Sequence, residues 1–439
     1  MRIKYWLNRT KQSLKDDGIK VTVKRAARKI KRKMFGTPAP EPVVTPAPEP
    51  PSIPISQLFA ERFCNMQPIE CIHIKNGPKR LNLVTDSISN NSLLGGVATA
   101  IIVAALFCKK NNIPLRIITR FSFPEPDNLK MILNLNGLDD FNDIEFYTDV
   151  ESNQGEQLLQ KLDISDNDIF FATSWWSAYA IKKISLRTRF FYIIQEVETF
   201  FYPHGDEHYF CSKILEDKNI DFIINHQNLL KYFNKNFPTV AQNGIAFMPA
   251  FSRKLYLTNS FIPQKKKKLF FYSRPNNPRN MFWTGIKLLD KAIQKGVLNT
   301  SEWEIFFAGQ DVPRMVFTNG YKPICNGLMT WEEYGKFLGS VDLTLSLMYT
   351  PHPSYPPYDA ACAGSVVLTN KCLNKTEFPE CKNIITTNLD ESDFYNNLSI
   401  AMDLATNMVL RKSNFEEMTI PSDWEKELEN VMKFMEERI

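Results

Sequence analysis

The stretch LNLVTDSISNNSLLGGVATAIIVAALF, residues 81–107, runs from a short apolar segment, Leu81–Thr85, through a polar loop to Gly95 and Gly96 and directly into a long apolar helical segment. A strand that enters a helix through paired glycines leaves bare backbone N–H groups and a helix N-terminus at its carboxyl end, where ligands bind. Glycine pairs also serve ordinary tight turns. Their place directly after the first strand favours the ligand-binding reading. Outward from this unit the same alternation repeats. Strands are predicted at Leu115–Thr119, Ile144–Tyr147, Ile169–Thr173, Phe190–Ile194, Phe222–Asn225 and Ala246–Pro249, with helices such as Gly96–Lys110 and Glu156–Leu162 between them. Alternation of this kind builds a parallel sheet with crossover helices, so residues 57–255 read as a Rossmann-like domain.

Between Phe251 and Lys268 the periodicity lapses, and strands restart at Leu269–Tyr272, Ile305–Ala308, Leu343–Leu347, Val366–Thr369 and Ile384–Thr386. Helices are expected at Thr284–Gln294, Trp331–Leu338 and Phe394–Ala405, which makes residues 267–415 a second Rossmann-like domain. The expected fold class is α/β: two doubly wound domains facing a cleft, with the site at the carboxyl ends of the strands. In residues 416–439, Ser422 with Glu425 reads as a capping box, and Trp424, Leu428, Val431 and Met435 form one apolar stripe. That helix is expected to pack back on the N-terminal domain.

A chain of 439 residues, 44% hydrophobic and 23% charged, exceeds one compact core and excludes a small single-domain binding module. The net charge of +5 is uneven: residues 1–33 carry thirteen Lys/Arg against Asp16 and Asp17, a balance of +11, which leaves −6 for the rest. Residues 1–36 show helical periodicity with basic faces and Trp6 near the start, the pattern of an amphipathic segment lying on an anionic membrane. A solvated basic tail is the plainer reading, and with no RNA-binding motif following, nucleic acid is not expected. Residues 37–56 form a proline-rich linker, with eight prolines between Thr37 and Pro54, suited to an extended spacer. Charges interrupt the start of the chain where a secretory signal would need an apolar run, and the longest apolar run, Ala98–Cys108, is about half a bilayer span. Eight cysteines without a CxxC pair point to buried reduced thiols in a cytosolic protein. The expected location is cytoplasmic, at most peripheral on the inner face of the membrane.

Two further segments carry chemistry. In FFYSRPNNPRN, residues 270–280, Arg274 and Arg279 follow a strand and precede a helix, where guanidinium groups can hold a diphosphate. In LTLSLMYTPHPSYPPYDAACAGSVVLTN, residues 343–370, a buried strand enters a proline-rich loop with His352, Pro353, Ser354 and Tyr355, then a helix with Asp359 expected in its first turn. Prolines fix such a loop over a strand end, Asp359 can accept two ribose hydroxyls, and Ser354 and Tyr355 can contact phosphate. Other signals weigh less. Asp166-Asn167-Asp168 reads as a turn, not a metal motif, and His204 with His208 lacks a third ligand. Trp175 and Trp176 read as core, and there is no G-x-S-x-G elbow, P-loop or G-x-G-x-x-G after a strand.

The segment TPHPSYPPYDAACAGSVVLTNK strongly resembles the nucleotide-sugar-binding segment of WsaF-type rhamnosyltransferases, retaining enzymes of glycosyltransferase family 4 with the GT-B fold. FYSRPNNPRN is similar to that family's YGRP...RN loop, FYIIQEVETFFYPHG (residues 191–205) to its YIIQDYEP.FYP.G stretch, and Leu81–Ala100 to its glycine loop. The resemblance covers about residues 80–405, with a similar basic N-terminal segment. It implies that Arg274, with Arg279, neutralises the donor diphosphate, that Asp359 holds the ribose, and that Gly309, Gly327, His352, Pro353, Ser354 and Tyr355 complete the nucleotide-sugar side. Gly95, Gly96, Gln195, Glu196, Glu198, Tyr202 and His204 would form the acceptor side. Two departures stand out. Where the wider family has two glutamates on the donor, this chain has Pro351 and Asp359; where it has Gly-Lys, this chain has Gly327-Leu328.

The implied activity is transfer of a deoxyhexose, L-rhamnose from dTDP-L-rhamnose, to a glycan or lipid-linked glycan of a bacterial surface polysaccharide. Neither cofactor nor metal is expected, because Arg side chains and helix N-termini stabilise the departing diphosphate. Retention would follow from front-face attack with the donor phosphate taking the acceptor's proton; a covalent route would need a carboxylate, for which Glu196 and Glu198 are nearest. Two other readings stay open: a nucleotide-sugar epimerase of the same fold, and a non-catalytic glycan- or membrane-binding scaffold. The sequence sets no oligomeric state.

Overall fold

Leu81–Thr85 forms strand β1, and all five residues are buried. A strand hidden on both faces belongs inside a parallel sheet whose crossovers cover each side. The sheet is completed by β2 (Leu115–Thr119), β3 (Ile144–Thr148), β4 (Ile169–Ala172), β5 (Phe190–Ile194), β6 (Ile220–Asn225) and β7 (Gly244–Phe247). Its order is β3-β2-β1-β4-β5-β6-β7 with parallel pairing throughout. Leu81 sits opposite Leu115 on one side and Ile169 on the other. The crossovers include α1 (Gly96–Asn111), α2 (Pro126–Leu135), α3 (Trp175–Lys182), α4 (Asp206–Leu215) and α5 (Gln227–Asn236). Every residue of α1 from Ala98 to Cys108 is buried, which explains why that run is apolar on all sides. Among the described residues no helix is long and apolar enough to cross a membrane.

The computed structural model describes residues 52–439 apart from 90, 91, 94, 149, 151–160, 185–188, 252, 254, 255 and 257–259. The basic segment over 1–36, the linker as far as residue 51 and most of the helix expected over Glu156–Leu162 lie outside the described residues. Leu162–Ile164 is a strand, paired in parallel with Cys71–His73 as a separate two-stranded sheet.

A second parallel sheet has the order β10-β9-β8-β11-β12-β13, built from β8 (Lys267–Tyr272), β9 (Trp303–Ala308), β10 (Ile324–Cys325), β11 (Leu343–Ser346), β12 (Val366–Asn370) and β13 (Ile384–Thr387). Helices α6 (Phe282–Gln294), α7 (Trp331–Gly339), α8 (Tyr355–Cys362), α9 (Glu391–Thr406) and α10 (Met408–Glu416) connect and flank it. Both sheets lie in one compact unit, Phe59–Ile439, as two doubly wound layers whose carboxyl edges face a shared cleft.

The chain then crosses back. The end is not one helix but two short ones, α11 (Trp424–Glu427) and α12 (Glu429–Glu436). The cap is Asp423, whose carboxylate accepts the Lys426 N–H at 3.2 Å, and not Ser422. Trp424, Leu428, Val431, Met432 and Met435 are buried in the same cluster as α1 and the first sheet. Trp424 donates its indole N–H to Asn136 at 2.9 Å, and Arg438 reaches Asp221 at 3.2 Å.

Several sequence signals resolve as framework. Asp168 accepts from the Ser165 N–H at 2.8 Å and pairs with buried Arg80 at 3.2 Å, so the acidic triplet closes a turn. All eight cysteines are unpaired; Cys64 and Cys325 are exposed, contrary to the expectation of uniform burial. Glu198, expected on the acceptor side, is instead in the core, where its carboxylate accepts the Trp175 N–H at 2.9 Å at the start of α3. Tyr202 packs beside it and takes the Trp175 indole N–H at 3.1 Å. His204 stacks on His208, ring centroids 4.3 Å apart, at the start of α4.

Burial pushes the Glu198 carboxyl up to about 8 from its ordinary 4.5. The folded chain therefore holds a proton there that the unfolded chain gives up between about pH 4.5 and 8, so stability falls as pH rises through that window and levels off above it. Glu198→Gln removes this loss, and its thermal midpoint should gain on the parent steadily from pH 5 to 8 and gain no more beyond. Leu428→Ala, at a site with no exposure, should lower unfolding stability by about 2–5 kcal/mol in a denaturant titration, the usual range for emptying a core leucine.

Candidate functional site

Glycine sets the shape of the cleft where the strands end. At Gly309, just past β9, φ is +148° and a side-chain Cβ would stand 1.7 Å from the Ser273 carbonyl. The ends of β8 and β9 thus touch backbone to backbone, and only glycine fits. Gly95 caps α1 with φ +80°, its face turned to the Tyr355 ring. The cavity between the two sheets is about 470 Å³. Gly95, Gly96, Gln195 and Glu196 line one wall; Arg274, Arg279, Gly309, Gly327, His352, Ser354, Tyr355 and Asp359 line the other. Pro353, Glu198, Tyr202 and His204 do not reach it.

The two arginines differ. Arg279 pairs with Glu196 at 2.8 Å across the cleft and lies over the Phe201 ring, 4.1 Å from its centroid. Glu196 also accepts from the Thr350 hydroxyl. Glu196 is therefore held by the opposite domain rather than presented to an acceptor. Arg274 is exposed, and among the described residues no carboxylate pairs with it.

Asp359 lies in the second turn of α8, not the first, because Tyr355, Pro356 and Pro357 already occupy the first turn, where a missing N–H costs nothing. Its buried carboxylate accepts the Tyr256 hydroxyl at 2.8 Å, and burial raises its pKa to about 7. His352 is buried too. Its Nδ1 accepts the Ser354 N–H at 3.1 Å, and burial, reinforced by His226, Lys375 and Arg279, lowers its pKa well below the ordinary value. A neutral ring whose Nδ1 is an acceptor carries its proton on Nε2, and that buried nitrogen has no partner among the described residues. The Gln195 Oε1 is likewise buried and without a partner among the described residues.

Tyr355 does not wait for phosphate. Its hydroxyl joins Thr99 at 2.5 Å and Asn225 at 2.7 Å on the opposite domain, and Tyr358 meets His226 at 3.1 Å. Three further residues lie outside the expected set. Tyr256, from the stretch without periodicity, and Tyr334, the last residue of the run TWEEY after Gly327-Leu328, both line the cavity beside Asp359. Lys375 is fully buried, donates to the Met348 carbonyl at 2.8 Å, and is pushed down to about 8 by burial. Nothing in the pattern around Tyr256 and Lys375 distinguishes these positions from ordinary core or loop. Leu328 lies at the cavity, 58% exposed.

Residues 80–219 match the description "WsaF, N-terminal domain" and residues 267–399 "WsaF, C-terminal domain". The O-antigen biosynthesis protein RfbC of Myxococcus xanthus is 28% identical over 278 residues, 61% of this chain. The chain spans about a fifth of that relative's length, 20%. Solved structures share the fold at low identity. Sucrose-phosphate synthase from Thermosynechococcus elongatus superposes with TM-score 0.58 at 11% identity over 82% of this chain and 98% of its own. A mutant of S. aureus TarM in complex with Fondaparinux, alpha-GlcNAc-glycerol and UDP gives 0.58 at 11% over 81% and 99%. WaaG, a glycosyltransferase involved in lipopolysaccharide biosynthesis, gives 0.53 at 13% over 80% and 98%. The twin sheets and their cleft are the GT-B arrangement, and with both halves matched the chain belongs to the WsaF family.

Proposed function

We propose that the chain is a glycosyltransferase that carries a sugar from a nucleoside-diphosphate donor to a growing bacterial surface polysaccharide. The observation that carries this reading is the meeting in one cavity of exposed Arg274, His352 and the Asp359 carboxylate, opposite the glycine-led start of α1. The family, and a relative named for O-antigen biosynthesis, support the same class. The finer reading is L-rhamnose from dTDP-L-rhamnose, with retention, no metal, and a glycan or lipid-linked glycan acceptor at the inner face of the cytoplasmic membrane. Residues 1–36 would hold the chain there.

In this mechanism Arg274 holds the diphosphate and Asp359 takes the ribose hydroxyls, which favour its ionised form. Arg279 joins Arg274 when the diphosphate competes with Glu196 for its guanidinium. The bond from the anomeric carbon to the phosphate oxygen breaks as the acceptor hydroxyl bonds to the same face. Its proton passes to the departing phosphate oxygen, and the two arginines stabilise the charge left on the diphosphate. No protein base is needed.

The test is incubation with a panel of nucleotide sugars and a rhamnose-containing acceptor, read by mass; no product from any donor would refute the activity. Arg274→Ala should weaken dTDP binding about 10- to 100-fold by calorimetry, as expected for losing charge-assisted hydrogen bonds, with an unchanged thermal midpoint. Leu328→Lys, which adds a cation at the cavity, should tighten dTDP binding several-fold.

A further inference from the structure

Arg279 lines the cavity, and exposed aromatic residues of both domains gather around it. Phe201, at the end of the turn after β5, has the Arg279 guanidinium 4.1 Å from its ring centroid and stays 37% exposed. Beside it Phe200 packs against Tyr232 of the first domain, ring centroids 5.6 Å apart. On the second domain Tyr349, just past β11, donates its backbone N–H to the Arg279 carbonyl at 2.7 Å and is 63% exposed. Trp283, in the first turn of α6, is 64% exposed. Single exposed apolar side chains are ordinary, whereas a group of them beside a cavity marks a contact surface.

The size of the cavity says what must cross this rim. Its volume of about 470 Å³ falls within the roughly 300–1,000 Å³ that holds one small molecule, so a polysaccharide can place only its reacting end inside. The remaining sugar units have to leave over the mouth. A pyranose ring suits such a surface: its C–H face is drawn to the negative face of an aromatic ring, and at an open rim its hydroxyls keep their water. Tyr and Trp have only two side-chain torsions, so holding them in place costs little entropy. We propose that Tyr349 and Trp283, with Phe201 on the facing domain, form a stacking platform for the sugar units of the acceptor that follow its reacting end. The assignment rests on the glycosyltransferase reading, because it takes the molecule leaving the cavity to be a glycan. It extends the acceptor side to the second domain, whereas the sequence pattern placed that side wholly on the first.

Calorimetry with the full chain tests this, using hexasaccharides cut from a rhamnan, a mannan and a galactan, with the methyl glycosides of the same sugars beside them. At least one hexasaccharide should bind about tenfold tighter than its methyl glycoside, and the double variant Tyr349→Ala/Trp283→Ala should remove that advantage. Tyr349→Phe/Trp283→Phe keeps both aromatic faces and should keep the affinity within about twofold. Both side chains are exposed, so the thermal midpoint and dTDP binding should be unchanged in each variant. No hexasaccharide binding better than its methyl glycoside, or full affinity in the Ala pair, would overturn the proposal. So would a Phe pair as weak as the Ala pair, which would assign the contact to hydrogen bonds. If product forms from a nucleotide sugar while the Ala pair changes nothing, the platform falls and the transferase reading stands. If the Ala pair loses glycan binding while the parent binds no dTDP, the platform stands and the donor reading falls.

Discussion

Burial of β1 on both faces is the constraint from which the rest follows. With all five residues hidden, neither face can meet water, so helices must cover both, and each must return the chain to the same sheet edge. The loops at the carboxyl ends then converge on one side. The second sheet repeats the constraint around β8 and β11. Placing the two carboxyl edges face to face concentrates the chemistry of both domains in a single cavity of about 470 Å³.

Charge in that cavity is scarce, so each group matters. Arg279 and Glu196 form a partly buried pair, and such pairs gain little net stability because desolvation offsets attraction. Removing either partner would leave the other charge buried and unpaired, so the pair fixes both side chains across the cleft. Two neutral contacts, Tyr355 to Thr99 and Tyr358 to His226, hold the walls together independently of charge. Burial raises the Asp359 carboxyl to about 7, and the hydroxyl of Tyr256 works in the opposite direction.

The fold is legible in the sequence because its signals are local. Strand periodicity, proline-rich loops and the glycine pair all act within about ten residues, and β1, α1 and the strand before the Pro351 loop stand where those signals put them. The site is legible in part. Arg274, His352 and Asp359 follow strand ends, so topology alone brings them to the cleft. What sequence could not reveal is pairing across the chain: Glu196 lies 83 positions from Arg279 and Thr99 lies 256 from Tyr355. Glu198 misleads for a related reason. Two glutamates a residue apart after one strand look alike in sequence, yet the backbone turn at Val197 sends one to the cleft and the other to the α3 N-terminus.

The C-terminal return shows how an apolar stripe without an evident partner can complete a site. Trp424, Leu428, Val431 and Met435 announce a buried face but not its location. In the structure that face closes the first domain against α1 and α2, and Trp424 also lines the cavity. The same indole donates its N–H to Asn136, the residue that ends α2. One side chain thus packs the first domain, ties the returning end of the chain to α2 and forms part of the cleft wall, so the wall is built from three separate parts of the sequence.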